Sequence, residues 1–259
     1  MSLLNDGPPS GMVDLMAQDS QVMDVAVQEN IDVSGKLALA QEEVRLEVKS
    51  MLDSLTSTTG LIGTYQGLWA GVPPGVGNVA VTPALKLWHT YRTLFLIYSD
   101  AYYSQLNDRY AGRRDEYREM AKWGRERLIQ TGIGMVADPI PVAMAPGVSE
   151  SGGTLTAGTY YVGISWASGR GQEGACSLPA SISTSGGAIV VTPGDAPSNA
   201  AGWHVYVGTA PDTMVRQNGA VLPLGSTWTL VAVASSGVAA GRGQALEFVL
   251  EAARVIQRG

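Results

Sequence analysis

Apolar residues recur at spacings of three and four through the first half of the chain, and at spacings of two through much of the second. From Gly11 to Asn30, the residues Met12, Leu15, Met16, Val22, Met23, Ala26 and Val27 fall on one stripe, which predicts one amphipathic helical stretch. Leu37, Ala40, Val44, Val48, Met51, Leu52 and Leu55 form a longer face, with Asp32 or Ser34 placed to cap it. Glu42, Glu43, Arg45, Glu47 and Lys49 take the opposite side, where Glu43 and Glu47 can pair with Lys49 and Arg45 along the helix. Thr82 and Pro83 predict a further start, Thr82 as cap and Pro83 in the first turn. The pattern then runs from Ala84 to Gln130. Leu85, Trp88, Tyr91, Leu94, Phe95, Tyr98, Ala101 and Tyr102 mark its face, and a break near Ala111-Gly112 makes two helices or one bent one.

Two stretches interrupt this order. Gly60 to Pro83, with Gly71-Val72-Pro73-Pro74-Gly75, predicts a loop of about twenty residues, long enough to meet a partner or to fold over the helices. Gly132 to Pro146 carries Pro139, Pro141 and Pro146 and predicts a stiffened linker. Beyond it, Tyr160, Val162, Ile164 and Trp166 alternate with Thr159, Tyr161, Gly163 and Ser165, the period of a strand. Ser177 to Thr184, Ala188 to Thr192, Trp203 to Val207, Met214 to Leu222 and Thr227 to Ala234 predict further strands, separated by Gly, Pro, Asn, Asp and Ser. Such a series of short strands predicts a β-sandwich. A last segment, Gln244 to Gln257, has a composition that favours a helix, with a strand open as an alternative around Glu247 to Leu250. Lying outside the sandwich, it must pack on the first domain or on another chain.

Charge sharpens the boundary. Only 15% of the 259 residues are charged, against roughly 25% in an average soluble chain. Residues 1–140 hold 12 Lys/Arg and 17 Asp/Glu, whereas residues 141–259 hold 5 and 6. The net charge of -6 disfavours general coating of nucleic acid. Met1 to Ser10 has neither the basic nor the apolar region of a targeting segment, and Leu94 to Tyr98 is too short to span a bilayer, so a soluble chain made in the cytoplasm is expected.

Chemistry is sparse. One cysteine, Cys176, excludes an internal disulfide and a cysteine-rich zinc module, and it reads as a small buried residue. No Walker loop, Cys-x-x-Cys or His-Glu-x-x-His occurs. His89, beside Trp88, reads as a core or interface histidine, and His204 as a solvent-facing strand residue. Glu150, Glu173, Asp195 and Asp212 stand in apparent turns. No catalytic residue, cofactor or metal ligand is therefore predicted. The region 108–127 is distinctive: Arg109, Arg113, Arg114, Arg118, Arg125, Arg127 and Lys122 stand among five acids and the aromatics Tyr110, Tyr117 and Trp123. Its bland reading is a salt-bridged solvated face, and its functional reading is an interface, where Tyr, Trp and Arg serve as anchors.

Gly158-Thr159-Tyr160-Tyr161-Val162, Gly171-Gln172-Glu173 and Ala201-Gly202-Trp203-His204-Val205-Tyr206-Val207-Gly208 resemble the immunoglobulin- or fibronectin-III-like modules of tailed-phage structural proteins, as do Arg216-Gln217-Asn218 and Leu224-Gly225-Ser226-Thr227-Trp228. The helical half is similar in outline to the phage head-tail connector, or adaptor, proteins. The resemblance implies an α+β multidomain chain: an N-terminal helical bundle (1–140), an Ig-like antiparallel β-sandwich inserted or appended (141–240) and a C-terminal docking segment (241–259). It further implies a structural virion protein in the phage neck, a ring of itself, twelve copies, joining the portal protein to the tail or a tail-completion protein. DNA would pass through without sequence-specific binding, and no membrane is involved. Portal docking would fall to Ala245 to Gly259. The candidate interface residues are Arg109, Arg113, Arg114, Arg118, Trp88, Tyr91, Trp123, Leu246, Phe248, Val249 and Leu250. Alternatives are another neck or tail component, a sugar-binding module using Trp166, Tyr161 or Trp203, and a cell-wall hydrolase with an accessory domain.

Overall fold

The computed structural model describes residues 2–57, 75–105, 108–240 and 243–249. Most of the long loop expected at Gly60 to Pro83, and the stretch from Leu250 to Gly259, lie outside the described residues. The architecture is α+β, in two units. One comprises Leu4–Ala137 with the described residues from Leu246 on, and the other Asp138–Ala245 with Ser2 and Leu3. The second is therefore inserted in the chain of the first.

The helical unit contains α1 (Met12–Gln18), α2 (Val22–Gln28), α3 (Val33–Ser57), α4 (Pro83–Gln105) and α5 (Ala111–Thr131). The stripe expected as one helix over Gly11–Asn30 is two short helices. The chain breaks at Asp19, which leaves the helical backbone and turns its carboxylate inward instead of toward water. Asp32 directly precedes α3, whose Leu37, Ala40, Val44, Val48 and Leu52 are buried. Thr82 caps α4 as expected, its hydroxyl accepting from the Leu85 N–H at 3.3 Å. The break between α4 and α5 is passed by a short 3-10 turn, Asp108–Tyr110. Tyr117, Ala121, Gly124 and Leu128 are the buried stripe of α5. Gly132 ends that helix at φ 89°, a conformation that suits glycine, with its N–H donating to the Leu128 carbonyl.

Two cores result. Leu15, Val22, Val25 and Ala26 of α1 and α2 pack with Tyr91, Leu94, Ile97, Tyr98 and Ala101 of α4 and with Tyr117 of α5. Val44, Val48 and Leu52 of α3 pack with Leu85, Trp88 and Leu128, and with Leu4, Val79, Ile133, Met135 and Val249. The last residues correct the linker expected at Gly132–Pro146. Ile133–Met135 is strand β1, paired antiparallel with the last described strand, β9 (Glu247–Val249), in the register Ile133↔Val249. The Ala80 N–H donates to the Gly134 carbonyl and the Leu4 N–H to the Val79 carbonyl, which extends this small sheet on the β1 side. The tail thus contains a strand at Glu247–Val249, and its first contact is the chain's own helical unit.

The inserted unit holds β2 (Gly147–Ser151), β3 (Gly158–Ser168), β4 (Ala180–Thr184), β5 (Ala188–Thr192), β6 (Ala200–Gly208), β7 (Val215–Arg216) and β8 (Trp228–Leu230). They form two antiparallel sheets, ordered β2-β5-β8 and β4-β3-β6-β7. Val162, Ile164, Trp166, Trp203, Val205 and Val207 of the second sheet share one core with Ile189, Val191 and Leu230 of the first. Three runs expected as full strands are shorter: Ser177–Thr184 contributes only Ala180–Thr184, Met214–Leu222 only Val215–Arg216, and Thr227–Ala234 only Trp228–Leu230. Between the backbone bonds of Gln217 to Val205 and of Leu222 with Trp203, Asn218 fills the gap, its amide bonding the Val205 N–H and the Ala220 carbonyl.

Candidate functional site

Helix α5 carries the arginines of the region 108–127 except Arg109, which lies in the preceding 3-10 turn. Its buried stripe faces α4, so its charged residues ring the rest of the helix. Most already have a partner in the chain. Arg113 bonds Glu116 at 3.1 Å, Arg114 bonds Asp115 at 2.9 Å and lies 4.1 Å from the Tyr102 ring, and Arg118 reaches Asp115 at 3.4 Å and the Phe95 ring. Arg127 lies over Trp123, and Arg109 over Tyr110. Asp115 sits below the ordinary carboxylate range because Arg114 hydrogen-bonds it. Water screens exposed pairs of this kind, so they orient the surface more than they hold the fold.

Between α3, α4 and α5 lies a groove of about 160 Å³, lined by Glu43, Val44, Glu47, Trp88, Arg92, Arg118, Ala121, Lys122 and Arg125. Val44, Trp88 and Ala121 are buried and make an apolar floor. The walls are charged and cross-braced: Arg92 bonds Glu43 at 2.5 Å, and Arg125 bonds Glu47 at 2.7 Å. Glu43 and Glu47 therefore pair between helices. The pairing expected along α3 goes to other residues, Arg45 with Glu42 and Lys49 with Asp53.

The remaining predicted interface residues divide by burial. Trp88, Tyr91 and Val249 are packed in the cores of this chain. Trp123 and Phe248 are exposed at 42% and 50%, and Leu246 is half-buried. Sequence reasoning missed a set of exposed apolar side chains on the helical unit: Val13 and Val27 at 79%, Leu46 at 66%, and Met12, Met16 and Leu39. Their positions fell within, or beside, the periodic stripes and were indistinguishable there from core residues.

In the inserted unit, three separated segments converge. Strands β3 and β6 are paired from Tyr161↔Gly208 to Trp166↔Trp203, with Ser165 directly opposite His204. Glu173 bridges to Ala167, and its carboxylate accepts from both the Ser165 and Tyr206 hydroxyls. Ser165 and Tyr206 have no exposed surface. Burial, followed by the Glu173 contact, raises the Tyr206 hydroxyl well above its ordinary range. His204 corrects its expected solvent-facing position: it is buried, bonds Asn218 at 3.0 Å, and burial holds its pKa down although Glu173 opposes the shift. Strand alternation did put it on the face away from Trp203 and Val205, but that face is covered too. Cys176, half-buried, has its sulfur against Gly163, and burial, then Glu173, pushes the thiol up to about 12. Glu150 lies on β2 and not in a turn, its carboxylate accepting from Thr184 and from the N–H groups of Ser185 and Gly187. Trp166 and Trp203 are core residues, which removes both indoles from a sugar-binding surface and leaves Tyr161 half-exposed.

Among the described residues, no group of three or more His, Cys, Asp and Glu is placed to hold a metal ion, and no helix is long and apolar enough to cross a membrane. No protein family, curated protein or solved structure matches the chain.

Proposed function

We propose that this chain is a structural virion protein that forms a ring in the neck of a tailed phage, joining portal to tail around the DNA channel. The reading rests on the resemblance of its β segments to Ig-like phage modules. One observation carries it: three of the five segments that carry that resemblance, Gly158–Val162, Gly171–Glu173 and Ala201–Gly208, meet on the adjacent strands β3 and β6 and in the turn that follows β3, with Glu173 accepting from Tyr206. They are one structural unit, as a shared module requires. In this reading the inserted β unit is an Ig-like appendage, and the helical unit is the ring body. The exposed Met12, Val13, Met16, Val27, Leu39 and Leu46 of the body are surface that subunit contacts would cover. The acidic balance suits a conduit that must release DNA, because retention by counterion release requires a basic surface.

Mass photometry of the full chain, alone and mixed with the portal protein, tests the reading. A closed oligomer of defined mass, formed alone or on the portal, is expected. A monomer under both conditions overturns it.

A further inference from the structure

We propose that the groove between α3, α4 and α5 receives helix α1 of a second copy of this chain, in a head-to-tail contact. The inference rests on the ring reading and assigns the surface through which the ring closes. Helix α1 presents Met12, Val13 and Met16 outward, with Val13 at 79% exposure, while Leu15 anchors it from beneath. Three apolar side chains on one two-turn helix are costly to leave in water, and methionine adapts to an irregular pocket. The groove has the matching form: an apolar floor at Trp88 and Ala121, about 160 Å³ of space, and charged walls.

Charge selects the occupant. Residues 2–32 carry six acids and no Lys or Arg, whereas residues 109–127 carry seven Lys/Arg and four acids. The wall cations Arg118, Lys122 and Arg125 are 41–61% exposed and each bonds one carboxylate of its own chain. A guanidinium has five N–H donors and an ammonium three, so each retains donors for a further acid. Helix α1 brings the apolar outer face, and the acidic stretch 2–32 around it brings the charge: the one acid of α1, Asp14, already bonds Lys86 at 2.7 Å and the Gly11 N–H, so the complementary carboxylates come from the flanking residues, Asp24 on α2 among them.

A copy cannot fill its own groove. On α4, Tyr91, Leu94 and Tyr98 meet α1 and α2, whereas Trp88 and Arg92 face the groove. At 100° per residue those two directions lie about 100° apart around the helix. The donor and acceptor surfaces are different patches, so the contact is heterologous, and repetition generates a ring or a filament.

The test pairs two variants of the full chain, Met16→Cys and Lys122→Cys, each with Cys176→Ser, under different tags and co-expressed. Both altered positions are exposed, and circular dichroism checks that the fold is kept. Cross-linking of the oligomer fraction with a short bismaleimide is expected to join one tag to the other, and neither variant alone is expected to cross-link to itself. Val13→Asp is expected to raise the concentration for half-assembly roughly tenfold or more. An oligomer that forms without the mixed cross-link overturns the contact and leaves the ring reading standing, as does self-linking of Met16→Cys, which signals a face-to-face interface. A chain that stays monomeric even with the portal overturns both.

Discussion

Gly124 of α5 lies against the backbone of Trp88 on α4, where a methyl group added to it would stand 2.9 Å from the Trp88 Cα and 3.2 Å from its Cβ. In an open helix, Gly→Ala is stabilising by about 0.5–1 kcal/mol. Here the methyl must push two backbones apart, an overpacking cost of about 1–3 kcal/mol. The steric cost is the larger, so Gly124→Ala is expected to destabilise the helical unit. Gly112→Ala, on the same helix with nothing within 4 Å of the new methyl, is the control and is expected to be neutral to mildly stabilising. Urea denaturation followed by helical ellipticity compares the two, and equal midpoints would refute the close-approach account.

The break between α1 and α2 depends on Asp19. Burial disfavours its charge, but the Tyr98 hydroxyl at 2.7 Å, the Gln21 N–H, the Tyr117 hydroxyl at 3.0 Å and the nearby Arg113 together hold its carboxyl below the ordinary range. Its folded pKa is depressed, so its contribution is present above the unfolded value of about 4 and is lost as pH falls through the folded one. Tyr98→Phe is expected to cost about 1–2 kcal/mol. Asp19→Ala is expected to cost more, since two hydroxyls then lose their acceptor. A double-mutant cycle of Tyr98→Phe with Tyr117→Phe should be non-additive, because both donate to the same oxygen. Strict additivity would count against a shared clamp.

His89 is fully buried, with Nδ1 2.6 Å from the Ser10 hydroxyl and Nε2 3.1 Å from the Leu37 carbonyl. Those partners suit the neutral ring, Nε2 donating and Nδ1 accepting. Burial lowers its pKa from 6.5 to about 4. The unfolded chain therefore binds the extra proton between these values, and stability falls as pH drops from 6.5 to 4, by about 3 kcal/mol at most. His89→Gln keeps a donor for Leu37 but cannot titrate, and is expected to flatten that window. Unfolding free energies at pH 7.5, 5.5 and 4.5 decide it, and an unchanged slope in the variant would refute the assignment.

Cys176 makes a second local probe. A thiol raised to about 12 has almost no thiolate at neutral pH, and the thiolate is the reactive form. Ellman's reagent is expected to react at a rate set by opening of the inserted unit, rising to the free-cysteine rate in urea. Glu173→Gln leaves a neutral acceptor for Ser165 and Tyr206, and is expected to speed the native reaction by loosening this segment. Fast labelling of the unaltered folded protein would contradict the burial.

Removal of Ala245–Gly259 reaches the helical unit as well as any docking. It deletes β9, takes Val249 from its core cluster and leaves β1 without its partner strand. A loss of about 2 kcal/mol or more is expected from the missing core side chain and ladder. A chain stopped after Val249 keeps β9 and separates folding from docking. Thermal unfolding of the two truncations is the measurement, and equal stability would refute the role of β9.

How much was legible depends on the range of each signal. The period of α3, α4 and α5, and the alternation of β3 and β6, are written in neighbouring residues, because a helix or strand turns one face to the core at a fixed repeat. The change from charged helices to nearly uncharged strands was equally local. Strand β2 was not visible: it is largely exposed along Gly147–Ser151, so it carries no apolar alternation. Nor was the Asp19 break, since a polar residue beside an apolar stripe reads as solvent-facing until Tyr98 and Tyr117 are placed over it.

The sequence by itself determined the α+β order of elements, the cap at Thr82, the core faces of α3 and α4 and the scarcity of cysteine and histidine. Only the tertiary structure decided that Glu43 and Glu47 brace neighbouring helices, that His204 and Glu173 lie in a covered cluster, and that Glu247–Val249 returns to pair with Ile133–Met135. Those outcomes depend on residues tens to more than a hundred positions apart, and on which polar groups lose water when the elements pack. No local repeat encodes either.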